Sequence, residues 1–444
     1  MKTWKIKKGS DKRIRSGHPW VFSNELFESP KGINPGEPIE LTDYKGHFLA
    51  RGYGNPASLI SFRAMSFEQH HAEPCSPASI VNKLIKSWKN RKNLGFNTSF
   101  RLCFSESDFL PGLIIDRYLI ESNGKEYQVF SFQLLTSGMD LIFKNWSYVF
   151  DNLVEQSVKG NLSTIDWSHT LILSRCDVNI RKLEGLQVLA AETLKTVESI
   201  DLNEVIIKIQ SIWDSQQAVL FHVNLIEGQK TGFFLDQTYN IKILVDALRP
   251  RLNDFKGKTL RMIDLCCYMG QWSAQVVHFL NAHGISVELN LVDVSELALT
   301  KAFKNLTQLN PIISENVKIK NSIKYLKADV LENLVDIKDN SYDVVISDPP
   351  AFVKNKRDME TGLHGYMKLN QQAFRIADAN GLVISCTCSG LVQMEDFKNS
   401  LRKAILRSGK KAKIICEGGL GWDHPQLVQF PEGQYLKMIM SSID

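Results

Sequence analysis

The feature that most constrains the fold is a set of apolar segments in the second half of the chain, separated from one another by helix-like stretches. They are "TLRMIDLCC", "VELNLVDV", "IKYLKADV", "YDVVISDPP" and "GLVISCTC". Short continuous apolar runs are typical of strands that helices cover on both faces, as in a parallel sheet. The pattern therefore predicts a doubly wound, Rossmann-like α/β domain, whose ligands bind at the carboxyl ends of the strands.

The N-terminal half has a different pattern. Short strand-like segments between Gly- and Pro-containing turns predict a small, barrel-like all-β domain over residues 1–72. A helix-like segment that ends at Gly95, with Ser76 or Ser79 as its cap, opens a mixed α+β middle domain over residues 73–215. The α/β domain then covers residues 216–444, so the predicted fold class is multidomain α/β.

Composition narrows the functional classes. No apolar run reaches the roughly 20 residues that cross a bilayer, so we expect a cytoplasmic protein without membrane contact. The eight cysteines show neither a disulfide framework nor zinc-site spacing, so we expect no metal. The N-terminal segment is basic, and its cations suit a polyanion such as nucleic acid or simply a solvated surface strand. The cations of this segment are Lys2, Lys5, Lys7, Lys8, Lys12, Arg13 and Arg15.

Acidic residues at the strand ends indicate a nucleoside site. Asp264 lies inside the first strand of the α/β domain, and Gly270 lies in the turn after it. Asp293 ends the second strand, where a carboxylate can accept both ribose hydroxyls, and Asp329 after the third strand could bind an adenine amino group. The dinucleotide fingerprint GxGxxG is absent, because Gln271 follows Gly270, and this disfavours NAD. Alternatively, these carboxylates only cap strand ends and turns.

The segment "SDPPAF" after the fourth strand suits a flat ring. Asp348 leaves the strand, Pro349 and Pro350 fix the backbone, and Phe352 can stack on a planar base. A base that lies in a helix must first be flipped out of its stack. The alternative is a rigid loop with a core phenylalanine.

Two cysteines lie near the end of the last apolar segment. Because strand side chains alternate, Cys386 and Cys388 point to the same face, with Cys388 nearer the ligand edge and Cys386 one step deeper. A thiolate at that edge could attack C6 of cytosine and activate C5 for methylation, while Asp348 hydrogen bonds at N3 and N4. From the position alone, a buried structural cysteine is the alternative.

The motifs together resemble one family, the bacterial large-subunit ribosomal RNA cytosine-C5 methyltransferases of the RlmI type. These consist of a PUA domain, a mixed middle domain and a class I methyltransferase domain. The segments that carry the resemblance include "KGSDKRIRSGHPWVFSNEL", "ARGYGNPASLISFRAMS", "SESDFLPGLIIDRY", "EGQKTGFFLDQ", "MIDLCCYMGQWS", "SDPPAFVKNK", "SCTCSGL" and "DHPQLVQFPEGQYLK". The resemblance implies that Cys388 is the nucleophile and that the cofactor is S-adenosylmethionine. It also implies that the N-terminal domain binds RNA, with Lys7, Lys8, Arg13 and Arg15 as the candidate phosphate contacts.

The resemblance also implies a set of site residues. Those expected at the cofactor are Lys230, Phe233, Asp264, Tyr268, Gly270, Ser273, Asp293, Val294, Asp329, Val330 and Asp348. Those expected at the base are Pro349, Pro350, Phe352 and His424, although His424 could instead fix the turn before Pro425. The chain departs from the family at Thr238 and Ile241, where arginines are usual, and at Gln271, where a second glycine is usual. Residues 119–170 look longer than in the usual middle domain.

The leading hypothesis is therefore an enzyme that forms 5-methylcytosine in large-subunit ribosomal RNA through a covalent cysteine adduct. A "DPPAF" loop also suits methylation of guanine N2 or adenine N6, which needs no covalent catalysis. A third hypothesis is an RNA-binding assembly factor that has lost its chemistry. The expected partner is RNA, and a homodimer is a further expectation.

Overall fold

The computed structural model describes residues 1–197, 200–310, 319–332, 334 and 337–444. The described chain divides into two compact units. The first contains Met1–Ile207, Asn224–Phe234 and Trp422–Gly433, and the second contains Lys208–Val223, Leu235–Gly421 and Gln434–Asp444. The domain boundaries expected near residues 72 and 215 stay predictions. Among the described residues, no helix combines the length and the apolar character needed to cross a membrane.

The N-terminal part of the first unit is a small β-domain. Its elements are β1 (Lys2–Lys5), α1 (Lys12–Arg15), β2 (Trp20–Val21), β3 (Pro38–Thr42), β4 (Phe48–Gly54) and β5 (Phe62–Ser66). The sheet order is β1-β3-β4-β5-β2, with β1 parallel to β3. Within the basic segment, Lys2–Lys5 form β1 and Lys12–Arg15 form the helical turn α1, in which Ile14 is buried in the apolar core while the cations beside it lie outside that core.

The rest of the first unit is a second layer of sheet and helices. Its elements are α2 (Pro77–Asn93), β6 (Phe100–Phe104), β7 (Leu113–Ser122), β8 (Lys125–Leu134), α3 (Ser137–Ile142), α4 (Trp146–Lys159), β9 (Thr170–Ser174), β10 (Glu192–Lys195) and, at the boundary of the units, β11 (Val205–Gln210). The strand order is β10-β9-β8-β7, and β6 pairs with β7. The side chain of Ser76 caps α2 by accepting from the amide of Ser79. Residues 119–170 contribute much of this sheet and the helices α3 and α4.

The second unit is the predicted doubly wound domain. Its elements are β12 (Ala218–Val223), α5 (Thr238–Leu248), β13 (Thr259–Leu265), α6 (Gln271–Ala282), β14 (Ser286–Asp293), α7 (Glu296–Lys304), β15 (Ser322–Lys327), β16 (Tyr342–Ser347), α8 (Met359–Ile376), β17 (Ala377–Thr387), α9 (Met394–Ser408), β18 (Ala412–Gly418) and β19 (Lys437–Ile443). The sheet order is β15-β14-β13-β16-β17-β19-β18. The strands from β15 to β17 are parallel, and β19 is antiparallel to both of its neighbours.

Short helical turns connect these elements. The 3-10 turns are Ser23–Glu25, Ser105–Asp108, Phe143–Asn145, Trp167–His169, Asn179–Glu184, Arg249–Phe255, Lys356–Asp358 and Pro431–Gly433, and Asn305–Leu309 forms a π-helical turn. The multidomain α/β fold class is confirmed by this architecture. Within the second sheet, β13 has β14 on one side and β16 on the other, so the strand order reverses there and creates the crevice in which such folds bind ligands.

Candidate active site

The sheet register aligns the strand ends of the second unit. Leu265 of β13 pairs with Val292 of β14 and with Ser347 of β16, and Ser347 pairs with Ser385 of β17. In β13, β14 and β16 the next residue therefore lies at the carboxyl edge, whereas β17 continues to Thr387. At two of these positions the residue is an aspartate, Asp293 or Asp348.

Asp264 is fully buried one step inside this edge. One of its carboxylate oxygens accepts a 2.6 Å hydrogen bond from the hydroxyl of Ser273, and the other is buried and has no hydrogen-bond partner among the described residues. Burial raises the pKa of Asp264 to about 7, and the charges of Asp348 and Asp293 add to this effect. Buried carboxylate oxygens nearly always have a donor, so the orphaned oxygen marks a place where a ligand donor can bind.

The turn between β13 and α6 contains a left-handed backbone conformation, which glycine adopts more easily than other residues. Gly270 has φ +77°, and a Cβ atom on it would lie 3.2 Å from the Cβ of Ala302. Asp293 accepts the amide of Tyr268 at 3.0 Å with one oxygen and the amide of Ser295 at 2.9 Å with the other. Each oxygen keeps a second lone pair, so the capping role does not exclude a pair of ribose hydroxyls.

The remaining predicted cofactor residues of this unit differ in exposure. Val294 follows Asp293 and is exposed, whereas Val330 is buried. Asp329 is exposed, and one of its oxygens accepts the amide of Leu331 at 2.8 Å. A buried acceptor, a glycine turn and strand-end carboxylates together fit a nucleoside better than a metal ion. Among the described residues no cluster of three His, Cys, Asp or Glu side chains could hold a metal.

Asp348 is held by two donors from other elements. The side-chain amide of Gln237 donates to both carboxylate oxygens at 2.8 Å, and the indole of Trp272 donates to one of them at 3.0 Å. Donors on both oxygens suit an ionised carboxylate and fix its orientation at the end of β16.

The two cysteines of β17 have different surroundings. Cys386 has no exposed surface, and burial together with the charge of Asp348 raises the pKa of its thiol well above the ordinary value. Cys388 is partly exposed, and its Sγ lies 3.9 Å from the carbonyl oxygen of Pro349. Cys388 and the "DPP" loop are therefore neighbours at the same edge.

The loop itself is supported by α8. Phe352 is partly buried, its ring centroid lies 4.7 Å from that of Tyr366, and its amide donates to the Tyr366 hydroxyl at 3.2 Å. The same hydroxyl shares a 2.8 Å hydrogen bond with Ser389, the residue after Cys388. Pro349 is buried and Pro350 is exposed. Tyr366 thus connects the loop to the segment that carries the thiol.

Three of the residues predicted at the cofactor or at the base belong to the first unit. The ammonium of Lys230 lies 4.3 Å from the ring centroid of Phe234, and the amide of the buried Phe233 donates to the hydroxyl of Tyr118 at 3.2 Å. His424 is buried, and its Nδ1 lies 2.8 Å from a carboxylate oxygen of Asp423. This contact supports a role of His424 in fixing the local turn.

The four candidate phosphate contacts divide into two pairs. Lys7 and Lys8 are exposed, and Lys7 donates to a backbone carbonyl at 2.8 Å. Arg15 already pairs with Asp11 and Asp43, and the half-buried Arg13 pairs with Glu432 at 3.2 Å. A phosphate could therefore bind the lysines without breaking an ion pair of the protein.

Comparison with known proteins decides the family. A PUA-like domain model matches residues 5–67. The chain is 31% identical to ribosomal RNA large subunit methyltransferase I from Photobacterium profundum, over 97% of this chain and 96% of that protein. It is 30% identical to the protein of the same name from Tolumonas auensis, over 97% of each chain. The chain belongs to the ribosomal RNA large subunit methyltransferase I family.

A solved structure agrees with this family fold. SMU.776, described as a methyltransferase and solved as a complex with SAH, superimposes with a TM-score of 0.70, at 19% identity and with both chains fully covered. At this identity the likeness shows the fold alone. The predicted family of the chain is therefore confirmed. The predicted PUA-like N-terminal domain of this ribosomal RNA large subunit methyltransferase I family member is confirmed as well.

Several further residues contact the predicted site of this family member, although its sequence does not single them out. Gln237 and Trp272 orient Asp348, Tyr366 supports the loop, and Lys437 of β19 donates to the carbonyl of Ser389 at 3.2 Å. Lys437 stands in the quoted segment "DHPQLVQFPEGQYLK", but the sequence carries no signal of the strand pairing that brings it near Cys388.

Proposed function

We propose that the chain forms 5-methylcytosine in large-subunit ribosomal RNA, with Cys388 as a covalent nucleophile. As a member of its family, the chain is an S-adenosylmethionine-dependent methyltransferase that acts on ribosomal RNA of the large subunit, as predicted. The names of the relatives do not state which atom receives the methyl group. The observation that carries the choice of C5 is the partly exposed thiol of Cys388 beside the carbonyl of Pro349.

The proposed cofactor site lies at the carboxyl ends of β13 and β14. Asp293 would accept the ribose hydroxyls, and Asp264, Tyr268, Gly270 and Ser273 would form the wall next to it. The orphaned oxygen of Asp264 supports this placement, because it is a buried acceptor that has no donor among the described residues. Bound S-adenosylmethionine supplies an electrophilic methyl group on a sulfonium, which the target atom of the base accepts.

The proposed chemistry at the base begins with sulfur. The Cys388 thiolate adds to C6 of the cytosine, so that the S–C6 bond forms, the C5=C6 π bond breaks and C5 becomes nucleophilic. After methylation the C5 proton leaves to water, the C5=C6 double bond re-forms and the S–C6 bond breaks. Asp348 is the proposed partner of the ring, because an ionised carboxylate accepts from the N4 amine and a protonated one donates to N3.

The proposed slot for the base consists of Pro349, Pro350 and Phe352. Lys7 and Lys8 are proposed to bind RNA phosphates, with Arg13 and Arg15 beside them; such contacts position an RNA and do not read its sequence. A cytoplasmic location and a homodimer stay predictions.

The proposal is tested with RNA that contains 5-fluorocytidine at the target. Fluorine at C5 cannot leave as a proton does, so the enzyme and RNA stay joined through the S–C6 bond and migrate as one band in a denaturing gel. We expect this adduct with the natural chain and with Cys386→Ala, and none with Cys388→Ala. The last variant should still bind S-adenosylmethionine in calorimetry.

Other outcomes identify the alternatives. Methyl transfer that survives in Cys388→Ala, with N2-methylguanine or N6-methyladenine in the digested RNA, means exocyclic-amine methylation. A natural chain that binds RNA but no S-adenosylmethionine is an assembly factor.

A further inference from the structure

Lys437 is a lysine with an unusual environment. It is 3% exposed, and its ammonium donates to the carbonyl oxygens of Ser389 at 3.2 Å and of Tyr435 at 3.4 Å. In the described part of the chain it forms no salt bridge with a carboxylate. A buried charge without a counter-charge is costly, and burial accordingly lowers the pKa of Lys437 to about 8.

Strand pairing and a hydrogen bond place Lys437 beside the chain segment that contains Cys388. Lys437 begins β19 and pairs with Thr387, the last residue of β17, and Cys388 follows Thr387 directly. One acceptor of the ammonium is the carbonyl of Ser389, the residue on the other side of Cys388. A negative charge on Cys388 raises the pKa of Lys437 against the effect of burial. The thiolate of Cys388 is thus the counter-charge that the lysine otherwise lacks.

We propose that Lys437 is a positioning residue that stabilises the thiolate of Cys388 and sets the pH range in which this sulfur is nucleophilic. The inference rests on the proposed function of Cys388. When the thiol ionises, its proton passes to solvent, the sulfur keeps the electron pair, and Lys437 keeps its three protons and forms no covalent bond.

The other titratable groups around the thiol make a cation necessary. Asp348 at the end of β16 and Asp264 in β13 both raise the pKa of Cys386, so the neighbouring strand ends oppose a second negative charge. Tyr366 of α8 is electrostatically coupled to Cys388, and burial raises the pKa of this phenol, so it is neutral at physiological pH. Among the described contacts of this edge, Lys437 supplies a positive charge that offsets the two carboxylates.

The arrangement also discriminates between the two thiols of β17. The negative charge that raises the pKa of Lys437 is that of Cys388. Cys386 lies opposite Met438 in the same ladder, and burial together with the charge of Asp348 keeps its thiol protonated. One strand therefore holds an inert sulfur and, two residues later, a reactive one.

The test measures alkylation of Cys388 by iodoacetamide as a function of pH in the full chain without RNA, with the Cys388 peptide quantified by mass spectrometry. Lys437→Met removes the charge and keeps the length, so we expect the midpoint of the pH profile to rise by about one pH unit and the rate near pH 7 to fall about tenfold. Lys437→Arg keeps the charge and should restore much of the natural profile. An unchanged midpoint in Lys437→Met overturns the proposal.

The matched control is Lys410→Met. Lys410 also donates to a backbone carbonyl, but that carbonyl belongs to Ala377 at the first residue of β17, about 30 Å along the strand from Cys388. Its removal should leave the alkylation profile unchanged. An equal rise with Lys410→Met would mean a general effect of positive charge and would overturn the specific role of Lys437.

A reciprocal measurement covers the case in which Lys437→Met does not fold. In Cys388→Ser the thiolate is absent, so the pH profile of Lys437 acylation should move to lower pH; an unchanged profile overturns the proposal. Failure of the proposed function is distinguishable, because it leaves the Lys437-dependent alkylation intact while methyl transfer survives in Cys388→Ala.

Discussion

The buried carboxyl of Asp264 makes a quantitative prediction about stability and pH. An ordinary aspartate has a pKa of 3.8 and Asp264 has one of about 7, so its ionisation costs the folded state about 4 kcal/mol more than the unfolded state. Between these two values the unfolded chain binds fewer protons than the folded chain. Stability is therefore full below about pH 4, falls by up to about 1.4 kcal/mol per pH unit, and levels off above pH 7.

The perturbation is Asp264→Asn, which keeps the shape and removes the ionisation. We expect the melting temperature of the variant to rise relative to that of the natural chain as the pH increases, by roughly 5 to 10 °C in total between about pH 4 and pH 8, with the smaller value if the whole chain unfolds as one unit. In the variant, the new amide group will lack an acceptor at the place where the carboxylate oxygen lacked a donor. The resulting loss in the free energy of unfolding is the same at every pH. The pH dependence of the difference is hence the test.

The assay is thermal unfolding without cofactor, followed by circular dichroism at several pH values. The control is Ser273→Ala, which removes the 2.6 Å hydrogen bond that favours the ionised form. It should destabilise the chain by about 1.5 to 3 kcal/mol at pH 8 and by less at pH 5. A difference between Asp264→Asn and the natural chain that is the same at every pH would refute the reasoning.

Three further substitutions have expected outcomes that thermal or urea unfolding checks. Gly270→Ala forces a side chain into φ +77° with a contact of 3.2 Å to Ala302, so it should cost about 1 to 2 kcal/mol; an unchanged melting temperature contradicts this strain. Arg101→Met leaves the fully buried Asp116 without its two-point ion pair and should cost about 3 to 5 kcal/mol, much of which a simultaneous Asp116→Leu should recover. Ser76→Ala removes the cap of α2 and should cost about 1 kcal/mol, whereas Ser76→Asp should cost little.

The carboxyl edge of the parallel sheet could be predicted because each strand is a continuous apolar run that ends at a polar residue. Asp293 ends β14 and Asp348 follows β16, where the apolar runs predict these residues. Gly270 lies in the turn where the sequence predicts it, because few other residues adopt its backbone conformation. Both features depend on residues that are close together in the chain, so they can be predicted from a single sequence.

Contacts between distant parts of the chain could not be predicted in this way. Gln237 lies 111 residues before the carboxylate that it orients, and Lys437 reaches the segment around Cys388 only because β19 returns antiparallel to β17. In the basic N-terminal segment, Lys2–Lys5 form strand β1, whereas Lys12–Arg15 form a helical turn in which Ile14 is buried. In each case, contacts formed in the tertiary structure determine the arrangement. The periodicity of the sequence does not predict these contacts.

The two sulfur atoms of β17 show how such pairing turns similar residues into different chemistry. Cys386 and Cys388 are the same residue type and lie on the same face of β17. Strand geometry alone therefore distinguishes them only by their distance from the end of the strand. The neighbouring strands separate them: Cys386 lies opposite Met438 without exposed surface, while Cys388 lies beyond the last pair of the ladder, with a lysine across the strand. A thiolate is stable where a cation and solvent are both near, and only the second position offers both. This difference in surroundings supports the proposal that Cys388, and not Cys386, is the nucleophile.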